Sequence, residues 1–186
     1  MKINLGSGSK QYPNYINIDS DAGSNPDHVV NIEKDPLPFA DDTVDAVLAH
    51  HVLEHLGDGF FHCLQELYRV CKHGAIIDVR VPHPRHDTFL IDPTHKRPIY
   101  PHTLDMFSKT RNKRALDTGN AESPLGFIYN VDLIVIDHTF ELDGYWQEQF
   151  KNFSEEQCEH AARSFNNVIL EIGIKLMVNK EDSAIR

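Results

Sequence analysis

INLGSG, residues 3 to 8, is a short apolar run that ends abruptly in a glycine turn. Ile3 and Leu5 predict a buried strand, and Gly6-Ser7-Gly8 follows it at once. A turn without Cβ atoms lets backbone N–H groups approach a ligand at a strand's carboxyl end. The commonest nucleotide loops do not fit. Position 11 is Gln rather than the third glycine of a dinucleotide fingerprint, and Asp19 comes sooner than that fingerprint's acid, which lies roughly 20 residues on. No Gly-Lys-Ser/Thr follows, which excludes a P-loop. Asp19 nevertheless closes a second apolar run, INID, where a carboxylate can accept hydrogen bonds from both ribose hydroxyls; a turn or N-cap aspartate is the competing reading.

Working outward, apolar runs at 3–5, 15–18, 28–32, 44–50 and 75–81 read as buried parallel strands, and later runs at 127–142 and 166–178 bring the sheet to seven. Phe60, Leu64, Leu67 and Cys71 recur at helical spacing, with Lys72 in the last turn and Gly74 as the C-cap. Residues 155–165 predict a second helix. This alternation is that of an α/β fold with a mostly parallel sheet. Residues 82–125 hold six prolines and little periodicity, which predicts a lid or substrate-binding insertion within a single domain spanning 1–186.

Composition sets limits. The 18 Lys and Arg against 28 Asp and Glu give a formal charge of −10, which repels phosphate backbones and anionic membrane surfaces. The one basic run, KTRNKR at 109–114, reads as a solvated loop rather than an anion site. Cys63, Cys71 and Cys158 lack C-x-x-C spacing and fit reduced thiols in a cytoplasmic protein. No apolar leader and no run near the roughly 18 residues of a membrane span are present.

Taken together, INLGSG, INID, PLPFADDTVDAVLAHHVLEHL (36–56) and LQELYRVCKHGA (64–75) resemble the motifs of class I S-adenosylmethionine-dependent methyltransferases, above all small bacterial members of the methyltransferase type 11 kind associated with saccharide biosynthesis. DPTHKRPIYP (92–101) and NNVILEIGIKLMV fit the same group more loosely. The resemblance implies a Rossmann-like seven-stranded sheet with an antiparallel last strand, helices on both faces and a truncated N-terminus. It implies S-adenosylmethionine as cofactor, held by Leu5, Gly6, Ser7, Gly8, Asp19, Asn31, Ile32 and His50. Asn31 stands where an aspartate commonly meets the adenine amino group, and its side-chain oxygen can accept the same bond. The usual helix between the first two strands has only residues 9–14 to fit into, room for one turn, and the truncated N-terminus is expected to leave part of the cofactor face for a lid or a second subunit to close, so a homodimer is expected.

HHVLEHL, 50–56, contains His51-x-x-Glu54-His55, the order of one zinc peptidase class. Such a motif needs a helix running through both histidines, whereas His51 leaves a strand, so no metal is assigned. His83, His86 and His95 leave a second-site metal open. Methyl transfer to a hydroxyl needs a proton acceptor, and an imidazole suits that task near neutral pH. His51 is the first candidate base; His95, with Asp92 to orient it, is the second; His55 reads as a helix-start residue. Arg80 pairs either with a substrate anion or with a neighbouring carboxylate. A DNA amino-methylase motif is absent after the fourth strand, and Arg85, Lys96, Arg97, Tyr100 and Trp146 suit a polar small molecule, a sugar or sugar phosphate, unless surface ion pairs occupy them. The expected activity is therefore O-methylation of a small polyhydroxylated metabolite. The alternative is a cofactor-binding but non-catalytic partner or regulatory subunit.

Overall fold

The computed structural model describes residues 1–181. In chain order the elements are β1 (Lys2–Leu5), β2 (Ile16–Asp19), β3 (His28–Val29), β4 (Val44–His50), α1 (Phe60–Val70), β5 (Cys71–Pro82), α2 (Asp87–Leu90), α3 (Pro101–Asp105), α4 (Lys109–Asp117), α5 (Leu125–Ile128), β6 (Leu133–Leu142), α6 (Gly144–Phe150), α7 (Glu155–Ser164) and β7 (Ile169–Val178). The strands form one seven-stranded sheet in the order β3-β2-β1-β4-β5-β7-β6. Strands β1 to β5 pair in parallel, and β7 runs antiparallel to both β5 and β6. This is the mostly parallel Rossmann-like sheet with an antiparallel last strand that the motifs imply.

Central strands covered on both faces must be apolar throughout, and Ile3, Leu5, Val47, Ala49, Ile77 and Val79 are all buried. Helix α1 turns Phe60, Cys63, Leu64 and Leu67 toward them. Its start is tight: a Cβ on Gly59 would stand 2.5 Å from the Glu33 Cα. The helix stops at Val70, earlier than its apolar spacing predicts. The Thr43 and Asp42 N–H groups donate to the Val70 and Arg69 carbonyls, and Cys71 pairs with Val44 as the first residue of β5. Gly74, at φ +76°, therefore sits at an irregularity in β5 rather than at the helix cap.

Other expectations are corrected as well. Strand β3 holds only two residues and the expected sixth strand begins at Leu133, because residues 125–128 form α5. Segment 82–125 is not irregular but carries α2, α3 and α4, and KTRNKR is helical. Ser108 caps α4, and Arg111 lies between Asp105 (2.7 Å) and Glu122 (3.0 Å), so that cation is matched by carboxylates of its own chain. The single helical turn expected between β1 and β2 is absent too.

What replaces that helix is a buried polar pair. Asn4 and Asn17 are register partners in β1 and β2. The Asn4 amide donates to Asn17 Oδ1 (3.0 Å) and to the Lys10 carbonyl (2.9 Å), and Asn17 Oδ1 accepts from the Tyr12 N–H (3.1 Å). These bonds pin loop 6–15 against the strand ends, where helix packing would otherwise hold it. Among the described residues no helix is long and apolar enough to cross a membrane. Replacing Asn17 with Ala strands the Asn4 donor and the Tyr12 N–H, a loss of about 1–3 kcal/mol. At roughly 2–4 °C per kcal/mol for a chain of this size, the midpoint of thermal unfolding is expected to fall by about 2–12 °C. An unchanged melt followed by circular dichroism would show that the pair does not hold the loop.

Candidate active site

Strand β1 lies between β2 and β4, so chain connections leave it in opposite directions and a crevice opens at the carboxyl ends of β1 and β4. Gly6 turns at φ +61° and Gly8 at φ +47°. The Gly8 N–H donates to Asp19 Oδ2 at 2.7 Å, and the Asp21 N–H donates to Oδ1 at 2.9 Å. Asp19 is thus the turn residue of one reading, and its position at the crevice is compatible with the other. Each of its oxygens keeps a lone pair for a ribose hydroxyl.

Two adjoining cavities share Gly6 and His51. The first, of about 260 Å³, is lined by Asp19, Asn31, Ile32, Glu33, Val52 and His55; the second, of about 490 Å³, by Ser7, Gly8, Lys10, Tyr12, His50, Arg80 and Glu171. Of the residues expected at a cofactor, Gly6, Ser7, Gly8, Asp19, Asn31, Ile32 and His50 line these walls. Leu5 does not: it is fully buried beneath the loop, where it fills the core. Asn31 Oδ1 already accepts from the Glu33 N–H at 3.1 Å, which orients the amide and leaves its oxygen one further acceptor position. His50 Nε2 stands 3.0 Å from Asp78 Oδ1.

His51 occupies the wall between the cavities with φ +56°, a strained conformation for a residue with a Cβ. Its N–H donates to the Arg80 carbonyl at 2.8 Å. Nδ1 lies 3.6 Å from Glu54 Oε1 and Nε2 2.9 Å from Glu171 Oε2. The Glu54 carboxylate is the largest influence raising this imidazole above its ordinary pKa, and Glu171 adds to it against the opposing effect of burial. Arg80 donates to Glu171 at 3.3 Å, so the choice left open for it falls to the neighbouring carboxylate.

The second candidate base lies elsewhere. His95 stands behind His55, ring centroids 4.7 Å apart, and its Nδ1 is 2.9 Å from the Phe89 carbonyl. Asp92 Oδ2 is 3.7 Å from His95 Nε2, and Oδ1 accepts from the Thr94 N–H and hydroxyl. His83 is held away from the crevice, and burial, with Arg85 and His86 adding to it, lowers its pKa to about 4. The residues expected to suit a sugar are committed as well. Arg85 donates to the Ala162 and Arg163 carbonyls at the end of α7, Arg97 lies 4.5 Å over the Phe60 ring, Tyr100 packs on the core beside His83, and Trp146 stacks on Phe165. Lys96 pairs with Glu33 at 3.5 Å. Lys10, Tyr12 and Glu171 take their place on the crevice wall. Glu171 had a signal, a lone carboxylate in the apolar run ILEIGI; Lys10 and Tyr12 had none beyond nearness to the glycine turn.

Comparison with known proteins now bears on this geometry. A family described as a methyltransferase domain matches residues 8–78, the stretch from the glycine turn into β5. Over that stretch the chain is similar to methyltransferase domains, and its fold is that of class I S-adenosylmethionine-dependent methyltransferases. No curated protein matches. Among solved structures, an S-adenosylmethionine-dependent methyltransferase from Archaeoglobus fulgidus is similar over 95% of this chain and 85% of its own, at 20% identity and TM-score 0.61. A methyltransferase from Methanosarcina mazei is similar over 97% and 92%, at 12% identity and TM-score 0.54. The cyclase SpnF is similar over 96% and 75%, at 14% identity and TM-score 0.55.

S-adenosylmethionine is the cofactor that this similarity implies, and the donor set of the crevice fits it. The crevice offers a carboxylate at Asp19, positive-φ glycines that present backbone N–H groups, and the buried Ser7 hydroxyl, which has no partner of its own. Substituting Asp19 with Ala removes both the ribose acceptor and the anchor of the Gly8 N–H. Calorimetric titration with S-adenosylhomocysteine is expected to show affinity at least about tenfold weaker than wild type, the size of one lost charged hydrogen bond. Equal affinity would mean that the ribose is held elsewhere.

Proposed function

We propose that this methyltransferase transfers a methyl group to a hydroxyl of a small polyhydroxylated metabolite, a sugar or sugar phosphate of saccharide biosynthesis, with His51 receiving the hydroxyl proton. The observation that carries this reading is the position of His51, on the wall shared by the two cavities. S-adenosylmethionine supplies an activated methyl on a sulfonium, so the chain has mainly to align the acceptor and relieve it of a proton. An acceptor hydroxyl entering at the contact between His51 Nε2 and Glu171 meets the imidazole directly, with Glu54 at the other ring nitrogen to orient it. Lys10 and Tyr12 give the larger cavity a cationic and a hydroxyl donor suited to a polar or phosphorylated acceptor, while Arg80 is held by Glu171. His95 and Asp92 act behind this wall, as support for His55, rather than as a second base.

An acidic chain of this kind is read as a cytoplasmic enzyme that takes neither nucleic acid nor membrane as partner. Its free Cys63, Cys71 and Cys158 suit a reducing compartment. We also read it as a homodimer. Strand β6 ends the sheet, is ten residues long and exposes Ile136 and Phe140, an edge that a second copy would cover. The second reading, a cofactor-holding partner without catalysis, is favoured by the occupation of both His51 nitrogens by carboxylates.

The two readings part on one variant. With a screen of sugar and sugar phosphate acceptors, methyl transfer followed as S-adenosylhomocysteine release is expected in wild type, and His51→Ala should lower kcat by about 10²–10³ with little change in the KM for S-adenosylmethionine. An unchanged kcat would remove His51 as the base. Cofactor binding with no turnover on any hydroxyl acceptor would favour the non-catalytic partner. Light scattering after gel filtration should give twice the chain mass of 21.2 kDa, and a monomer would end the dimer reading.

A further inference from the structure

Behind the first cavity, Glu54 is fully buried, and neither carboxylate oxygen has a partner within hydrogen-bond distance, His51 Nδ1 standing just outside it at 3.6 Å from Oε1. A buried carboxylate left without donors is unfavourable unless something cationic meets it. Two imidazoles face the same spot: ligand atoms of Glu54, His55 and His95 all lie within 4.8 Å of one another. The hydrogen bonds around these rings fix which nitrogen holds the proton. His95 Nδ1 is 2.9 Å from the Phe89 carbonyl, which can only accept, so Nδ1 carries the hydrogen and Nε2 the lone pair. The Thr94 hydroxyl gives its hydrogen to Asp92 at 2.6 Å, so it accepts from His55 Nδ1 at 2.9 Å and leaves the His55 lone pair on Nε2 as well. Three acceptors, one on the buried Glu54 and two on half-buried histidines, then face one another with no donor among them.

We propose that Glu54, His55 and His95 bind a divalent transition-metal ion, with Zn²⁺ the best-fitting species. Two neutral imidazoles and a carboxylate are a donor set that such ions take with a coordination position left open. The partners of the two Nδ1 atoms, a backbone carbonyl and a threonine hydroxyl oriented by a carboxylate, are the kind of outer shell that holds ligating histidines. The frame is rigid. His95 stacks on Phe89, and the Lys96 and Arg97 N–H groups both donate to the Glu54 carbonyl, at 2.8 and 3.1 Å, tying the two ligand-bearing segments together. Zinc with ligands about 2.1 Å away sets donor atoms about 3.4 Å apart, so side-chain adjustments of roughly an ångström close the site. His55 also lines the first cavity, which places the ion at the crevice.

The zinc-like order His51-x-x-Glu54-His55 thus contributes two of its three residues. His51 is held between Glu54 and Glu171, and His95, forty residues on from His55, completes the set. One carboxylate oxygen on the ion would leave the other for His51 Nδ1, so the ion would also fix the orientation of that ring.

Chelator-treated full-length protein, titrated with Co²⁺ and then Zn²⁺, tests the site. One equivalent of Co²⁺ is expected to produce the intense visible absorption of a low-coordinate nitrogen- and oxygen-bound ion, which Zn²⁺ then displaces, and Zn²⁺ should raise the melting temperature. His95→Ala and the isosteric Glu54→Gln should each weaken Zn²⁺ binding by at least about tenfold; Glu54→Gln reports ligation even where the alanine variant melts early. Absence of saturable Co²⁺ or Zn²⁺ binding by wild type, or binding that both variants leave unchanged, overturns the proposal. Parallel titration of wild type with S-adenosylhomocysteine separates this from the methyltransferase reading: homocysteine-analogue binding without metal sinks only the ion, and metal binding without it sinks only the transferase.

Discussion

The crevice depends on one close approach. A Cβ on Gly6 would stand 2.3 Å from Val52 Cγ2, so the loop leaving β1 presses on the chain leaving β4 more closely than any side chain permits. The positive φ at Gly6 adds a second reason for glycine there. At this waist the crevice divides into two cavities, and the residues common to both, Gly6 and His51, are those whose backbones are forced out of ordinary strand geometry. The contact also dictates where His51 points, because the chain must turn sharply at the end of β4 to bring Val52 beneath the glycine loop.

Around that contact, hydrogen bonds do what helix packing does in larger sheets. Three of the connections between the first four strands contain no α-helix, and loop 6–15 is held by Asn4 and Asn17 from inside the sheet. On the other side, the segment carrying His95 is fastened to Glu54 through its backbone, and Arg97 lies over the Phe60 ring and donates to the Gly57 carbonyl. Such polar fasteners are directional and fail together when one member is lost, in contrast to an apolar contact that relaxes into neighbouring space. Such fasteners accompany the short helices α2, α3 and α4 in a segment rich in proline that was expected to have little periodicity.

The strands that pack both faces were legible in the amino-acid order because their periodicity is set by burial, and the glycine turn with Asp19 was legible because φ and charge restrict which residues can stand there. Other features were hidden for physical reasons. Cys71 continues the helical spacing of Phe60, Leu64 and Leu67 but belongs to β5, since a buried strand is apolar as well and spacing does not distinguish the two. Arg85, Arg97 and Tyr100 looked like sugar contacts because exposure is not encoded locally; their partners, the end of α7, Phe60 and His83, come from distant parts of the chain. Glu171 reaches His51 across 120 positions for the same reason. Asn4 and Asn17 were visible anomalies, polar residues in strands too apolar to need them, and an unexplained buried amide is itself a signal of a fastener.

The fold alone leaves the chemistry open. The same sheet is similar to S-adenosylmethionine-dependent methyltransferases and to a cyclase, so what this chain does rests on side chains at the rim of the crevice. Here the rim is unusual in its acidity: Glu54 and Glu171 flank a single imidazole, and Arg80 offsets only the second of them. A cationic group placed beside such a wall is favoured electrostatically, whereas an anionic group is favoured only near Lys10, the other cation lining the larger cavity. On the proposed reading, that division of charge would turn an acceptor's anionic end toward Lys10 and its hydroxyl toward His51, which would give the two cavities different tasks even though they share a wall.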